Sequence, residues 1–229
     1  RKIFGVQQKT PRWKRAESLV DGLMSDAVGQ MFVGKYFPKA AKDEMLELIR
    51  NLQKALSMRI DRQEWMSPET KKIAQEKLAA YKVKVGYPDK WDDLSGLVIN
   101  PELSLYDNLR AASDFYWNLN YSKKYNKPVD KEQWEMSPQT VNAYYNPTTN
   151  EICFPAGFLQ PPLFNLEADA AANYGAIGVV IGHEMTHGFD DQGRMYNKDG
   201  NIADWWTDAD AEAFNATCAR MSEYFDSLW

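Results

Sequence analysis

The chain contains only two histidines, and they stand four residues apart around a glutamate in the stretch His183-Glu184-Met185-Thr186-His187. In a helix, residues i and i+4 share one face, so both imidazoles can reach a single metal ion while Glu184 projects beside them. An acid between two histidines at this spacing points to a zinc site in which the acid is the general base. The competing reading, two histidines that cap or pack a helix, has no use for that acid. A water bound to zinc can ionise near neutral pH, and Glu184 can take its proton during attack on a carbonyl carbon and then pass it to the leaving amine. The chemistry is peptide-bond hydrolysis.

A catalytic zinc needs a third protein ligand. A metzincin would place a glycine three residues after the second histidine and a metal ligand three further on; Asp190 and Gly193 occupy those positions, which excludes that class. A glutamate ligand stays open, but the only later glutamates, Glu212 and Glu223, read as solvated acids of a terminal helix. Asp190 lies three residues past His187, where it can accept a hydrogen bond from an imidazole N–H or serve as a helix-terminal acid.

The elements that must position these residues follow from periodicity. Apolar residues at helical spacing from Ala16 to Phe32 predict one helix that starts at Thr10-Pro11 and ends at Pro38. A second helix is expected from Ala40 to about Arg62, and a third from Ser67-Pro68 to about Val83. Gly86-Tyr87-Pro88 breaks the pattern, and a further helix is expected over Leu103–Leu119. Val141–Tyr145 and Glu151–Phe154 read as two strands of a hairpin or sheet edge, whose Asn142-Ala143-Tyr144-Tyr145 stretch could pair with an extended peptide. The metal helix is expected to run from about Leu166 to Phe189, with Gly175, Gly178 and Gly182 marking close approach of other backbone. Asn197–Gly200 is a turn, and Thr207 caps a final amphipathic helix. The fold class is α+β, mainly α-helical, divided into a helical segment over residues 1–90 and a catalytic part over residues 91–229.

Composition limits the partners. With 27 basic and 32 acidic residues the net charge is −5, which offers no phosphate-seeking surface, so nucleic acid is not an expected partner. The longest apolar run, Gly175–Gly182, is too short and too glycine-rich to span a bilayer, and no transmembrane segment is expected. Cys153 and Cys218 do not make a disulfide framework, and the tryptophans, among them Trp65, Trp117 and Trp206, read as core or interface aromatics. The opening Arg1-Lys2-Ile3-Phe4 has neither an initiator Met nor a signal pattern, and the chain stops on Leu228-Trp229; an internal piece of a longer polypeptide is expected.

Several stretches together resemble one family. They are Val141-Asn142-Ala143-Tyr144-Tyr145, Phe154–Pro162, Gly178–Arg194, and Asp204-Trp205-Trp206-Thr207, joined upstream by Arg12-Trp13, Ala27-Val28-Gly29 and Trp65-Met66 through Lys72. The family is that of the neprilysin-like zinc metallopeptidases, which includes the endothelin-converting enzymes and related bacterial oligopeptidases. The resemblance implies a thermolysin-like zincin catalytic domain piece with part of a helical second domain. It implies a Zn2+-dependent endopeptidase acting on short peptides, with cleavage before large hydrophobic residues, in a periplasmic, secreted or extracellular-facing setting.

By motif position, the resemblance makes His183 and His187 the zinc ligands and Glu184 the catalytic base, with Asp190 as the acid following the zinc helix. Asn142 and Ala143 would hold substrate backbone, and Phe158, Leu163, Val179 and Val180 would line the pocket for the residue after the scissile bond. Where the family usually has Ile or Val near Phe158 and an aromatic near Leu163, this chain departs. The family's third ligand is the Glu of a Glu-Asn-x-Ala-Asp motif, expected beyond residue 229. Asn201-Ile202-Ala203-Asp204 imitates that motif, but Gly200 stands in place of the Glu. The remaining segments of the same enzyme are therefore expected partners. The alternative is a non-catalytic fragment or pseudoenzyme, against which Glu184 argues.

Overall fold

The computed structural model describes residues 8–228; the expectations on Arg1 to Phe4 and on Trp229 lie outside them. In chain order the elements are α1 (Arg12–Leu23), α2 (Ser25–Tyr36), α3 (Lys39–Asp61), α4 (Pro68–Ala79), β1 (Lys82–Gly86), α5 (Leu105–Lys124), β2 (Tyr144–Asn146), β3 (Glu151–Pro155), α6 (Ala170–Gly175), α7 (Ile177–Thr186) and α8 (Asp208–Asp226). The class is mainly helical α+β. Two compact units form: one from residues 8–37 with 87–140, the other from residues 38–86 with 141–228. The chain thus crosses between units three times, after residues 37, 86 and 140.

In the first unit, the helix expected to run unbroken to Pro38 is two helices. Met24 leaves helical geometry at φ −125° and ψ 40°, and Ser25-Asp26 begins α2 with an acid in its first turn. Ser and Asp favour a helix start more than a helix interior, and Gly22 just before them weakens continuation. Gln139 ties residues near 140 to α1 and α2, its amide donating to Asp21 Oδ1 and to the Ser25 carbonyl.

The second unit carries the candidate site. Its sheet has the order β1-β3-β2, with β1 parallel and β2 antiparallel to the wholly buried β3. The hairpin is present, with Tyr145 opposite Ile152, and β2 is one of the sheet's two edge strands among the described residues, β1 being the other. Strand β1 lies where the third helix was expected to end. Lys82-Val83-Lys84-Val85 alternates with period two, and the pairing of Val83 with Ile152 joins residues far apart in sequence, so local periodicity carries no sign of it. Lys84 and Glu151 form a buried ion pair at 2.7 Å, and Tyr144 donates to the other oxygen of Glu151 at 3.0 Å.

Helix α7 packs against α3 and β2. Ile177, Ile181 and Met185 have at most 1% of their surface exposed, and Glu184 is also buried, whereas Val179, His183 and Thr186 on the opposite side are exposed. The expected 24-residue metal helix is interrupted: α6 starts under an Asp169 cap and ends at Ala176, whose φ of −101° and ψ of −87° stop it. The three glycines do not mark close backbone packing. A Cβ at Gly175 or Gly182 would meet no described atom within 4 Å, and one at Gly178 would make ordinary contacts at 3.7 Å.

Two side-chain caps anticipated by the sequence join distant helices. Ser67 caps α4 and Thr207 caps α8. Between them, buried Asp210 accepts from the Ser67 N–H at 2.8 Å, the Ser67 hydroxyl at 2.6 Å and the Thr70 hydroxyl at 2.6 Å. Trp65, Trp206 and Phe214 cluster at ring distances of 5.2–5.9 Å, whereas Trp117 is largely exposed. Burial by itself would raise the Asp210 carboxyl, but the hydrogen bonds from Ser67, Thr70 and Thr207 outweigh it and hold the group at about 2. A carboxyl depressed in the folded state stabilises above its unfolded value and loses that contribution as pH falls through its folded value. Asp210→Ala should therefore cost about 1–3 kcal/mol near neutral pH. The gap between wild type and variant in thermal denaturation should close as pH drops from about 4 to about 2.

Candidate metal centre

The ring nitrogens of the two histidines converge, with His183 Nε2 and His187 Nε2 3.0 Å apart. Two nitrogens each about 2.1 Å from one tetrahedral zinc ion stand about 3.4 Å apart, so a spread of about 0.4 Å fits the pair to the metal. His187 opens the first of two short 3-10 turns, His187–Phe189 and Gly193–Met195, that follow α7. Its Nδ1 is 2.7 Å from Asp190 Oδ2. A carboxylate only accepts, so Nδ1 carries the proton and Nε2 of the neutral ring keeps its lone pair for a metal. The second Asp190 oxygen accepts the N–H groups of Gln192 at 3.0 Å and Gly193 at 2.7 Å.

Glu184 projects to the buried side of the same helix turn. Burial raises its carboxyl above the usual range, opposed by His187, His183 and a backbone hydrogen bond with Tyr145 of β2. It lines a cleft of about 350 Å³ with Ala143, Tyr144, Tyr145, Pro147, His187, Asp190, Gln192 and Gly193. Of the residues singled out by sequence, Ala143, Glu184, His187 and Asp190 meet at this cleft, and His183 joins them through its ring.

The others stand elsewhere. Asn142 is exposed just ahead of β2, and Phe158 is half-buried in the turn after β3. Leu163 is half-buried and accepts the Ile177 N–H at the start of α7. Val179 is 66% exposed, and Val180 is half-buried. Among the described residues no third His, Cys, Asp or Glu joins the histidine pair in a metal-holding group, so neither Glu212 nor Glu223 completes it.

Two residues that sequence reasoning passed over support the turn after α7. Tyr81 donates to the Met185 carbonyl at 2.8 Å, and Lys77 donates to the Gly188 carbonyl at 2.7 Å. The signal for Lys77 was its place on the buried stripe Thr70, Ala74, Lys77, Leu78 of α4. The turn itself is tight: a Cβ on Gly188 would lie 1.8 Å from the Tyr81 hydroxyl, and one on Gly193 would lie 1.7 Å from the His187 carbonyl oxygen.

A helix-borne histidine pair, a buried glutamate between them and an edge strand of a small mixed sheet alongside are the features by which HExxH metallopeptidases are recognised. Comparison with known proteins agrees and narrows it. Residues 1–88 and 142–228 each match a model described as peptidase family M13, together well over half of the chain. Human neprilysin is 40% identical over 234 residues, an alignment covering 99% of this chain and 31% of neprilysin. The neutral endopeptidase of Lactobacillus helveticus is 38% identical, covering 99% of this chain and 35% of its own. A Mycobacterium tuberculosis zinc metalloprotease, solved in its open state, superposes with a TM-score of 0.85 at 50% identity, covering 94% of this chain and 33% of that one. This chain belongs to peptidase family M13, the neprilysin-like family. It spans about a third of the length of these relatives.

The contact between Gly193 and the His187 carbonyl is backbone to backbone and cannot be relieved by a rotamer change. Gly193→Ala should cost about 3 kcal/mol, the upper end of overpacking. Denaturation together with zinc content after dialysis would show both the loss of stability and the displacement of His187.

Proposed function

We propose that this chain is the central part of a zinc-dependent endopeptidase that hydrolyses short peptides. The single observation behind this reading is the 3.0 Å convergence of the His183 and His187 Nε2 atoms beside the buried carboxylate of Glu184. The names of the relatives, neprilysin, neutral endopeptidase and zinc metalloprotease, support it. His183 and His187 would hold one Zn2+, with a glutamate beyond residue 229 as the third ligand, and Asp190 fixes the His187 ring through Nδ1. Zinc there would polarise the scissile carbonyl and acidify a water.

The protein's own residues do the rest. Glu184, whose carboxyl is raised by burial, is a better base than an exposed glutamate; a carboxylate oxygen takes the proton of the attacking water and delivers it to the leaving nitrogen. Asn142 and Ala143, leading into the edge strand β2, hold the peptide backbone by strand addition. By motif position, Phe158, Leu163, Val179 and Val180 are assigned the apolar pocket for the residue after the scissile bond, although none of them lines the cleft at Glu184. A periplasmic, secreted or extracellular-facing setting fits the resemblance. No helix among the described residues is long and apolar enough to cross a membrane.

Glu184→Gln should keep its zinc and lose about 100- to 10,000-fold in kcat, because it removes a base and not a ligand. His183→Ala and His187→Ala should lose metal and activity together. Metal analysis beside initial rates separates the two classes, and near-normal turnover in the Gln variant would remove Glu184 from the mechanism.

Burying a Leu or Phe side chain is worth about 1.5–3 kcal/mol, so cleavage should fall before large apolar residues with a preference of about 10- to 100-fold over small ones. Mass spectrometry of peptide-library products reads this directly. Cuts placed mainly before Asp, Glu or Gly would contradict the pocket assignment.

A further inference from the structure

Lys77 has no part in the chemistry proposed above, yet it is among the largest fully buried side chains, with 0% of its surface exposed. Burying an ammonium is costly, and buried charges are ordinarily paired with an opposite charge. The three hydrogen bonds of Lys77 Nζ go instead to backbone carbonyls, those of Gly188, Gly193 and Tyr196, each at 2.7 Å. An ammonium has three donors, so all are used. The rings of Tyr145, Phe189 and Trp205 surround it at 5.7–5.9 Å. Burial lowers its pKa to about 8, and the charge of Asp190 opposes that fall.

The three carbonyls lie on the stretch that leaves the metal helix. Gly188 directly follows His187. Gly193 presents its N–H to Asp190 Oδ1 at 2.7 Å while its carbonyl takes the Lys77 hydrogen bond. Asp190 Oδ2 in turn meets His187 Nδ1 at 2.7 Å. A path of short hydrogen bonds therefore runs from the ammonium through the Gly193 backbone and the Asp190 carboxylate to the imidazole. Asp190 has no other described side chain holding it beyond His187; the loop's own N–H groups orient it, and Lys77 holds the loop closed.

We propose that Lys77 is a positioning residue for the metal centre: by clamping the Gly188, Gly193 and Tyr196 carbonyls it fixes the loop that aims Asp190, and through Asp190 the ring of His187. The assignment rests on the zinc reading given above. It differs from a purely structural role, which the same helix also shows: Asp210 clasps Ser67 and Thr70 at the start of α4 without touching the loop that leaves α7. Three carbonyl oxygens converging on one point need a cation or several donors, so the role cannot pass to an apolar side chain of equal length.

The test uses the full-length holoenzyme and compares Lys77→Met, Lys77→Gln, Asp190→Asn, the double variant Lys77→Gln/Asp190→Asn and, as a structural control, Asp210→Ala. Zinc dissociation constants come from competition with a chelator, alongside kcat, KM and Tm. Loss of a group that orients a ligand weakens metal binding by about 10- to 100-fold, and this is the expected effect of both Lys77 variants, with kcat reduced and KM within about twofold. The double variant should be no worse than the poorer single, because both changes cut one path. Asp210→Ala should lower Tm and leave zinc affinity within about twofold. If Lys77→Met does not fold, the Gln variant, which keeps two donors, carries the comparison. Unchanged zinc affinity in a folded Lys77→Gln protein, or losses that multiply in the double variant, would overturn the assignment. Failure of the wild-type protein to bind zinc would instead remove the metal centre itself.

Discussion

The apolar stripe of α7 is the reference from which the candidate site is built. Ile177, Ile181 and Met185 are sealed from water, so the helix cannot rotate about its axis without exposing three large side chains, each worth about 1.5–3 kcal/mol. Fixing that rotation fixes what the other positions present. Glu184, one residue from Met185, is carried to the buried side, while His183, four residues before His187, is carried to the open side. The opposite environments of Glu184 and its neighbouring imidazoles are thus a property of helical pitch, not of any special feature at the site.

Rotation of the helix does not settle the rings. An imidazole on a helix end keeps its own torsions, and His187 belongs to the 3-10 turn where the helix is already unwinding. Its orientation is set from outside by Asp190, whose two oxygens face opposite ways, one to the ring and one to the amides of Gln192 and Gly193. That one carboxylate converts the conformation of a loop into the direction of an imidazole ring. The tightness at Gly188 and Gly193 follows from the same demand, because the chain must reverse within hydrogen-bond reach of the helix it has just left.

What the sequence made legible is local in origin. The four-residue spacing of His183 and His187, the caps at Ser67 and Thr207, and the turn between Tyr145 and Glu151 all depend on residues within one or two turns of each other. The breaks at Met24 and Ala176 were passed over because apolar periodicity continues across both, although Gly22 and Ser25-Asp26 carried a local sign of the first. Strand β1 escaped notice for a different reason: its partner is parallel and distant, and Lys84 on it looks like a surface residue until Glu151 is brought beneath it. Lys77 was hidden by its type, since a lysine on an amphipathic helix is read as solvated even when its position on the stripe says otherwise.

The pairing of β1 with β3 has a consequence for biosynthesis. Lys82 meets Glu151, so β1 emerges from the ribosome about 70 residues before the strand that completes it, and the residues made in between belong largely to the other unit. At translation rates of about 5–20 residues per second, the nascent chain carries an unpaired strand for several seconds. The alternating lysines of Lys82-Val83-Lys84-Val85 are well suited to that interval. A strand whose every second residue is charged is a poor template for edge-to-edge aggregation, and the charge at Lys84 is neutralised only when Glu151 arrives to complete the sheet.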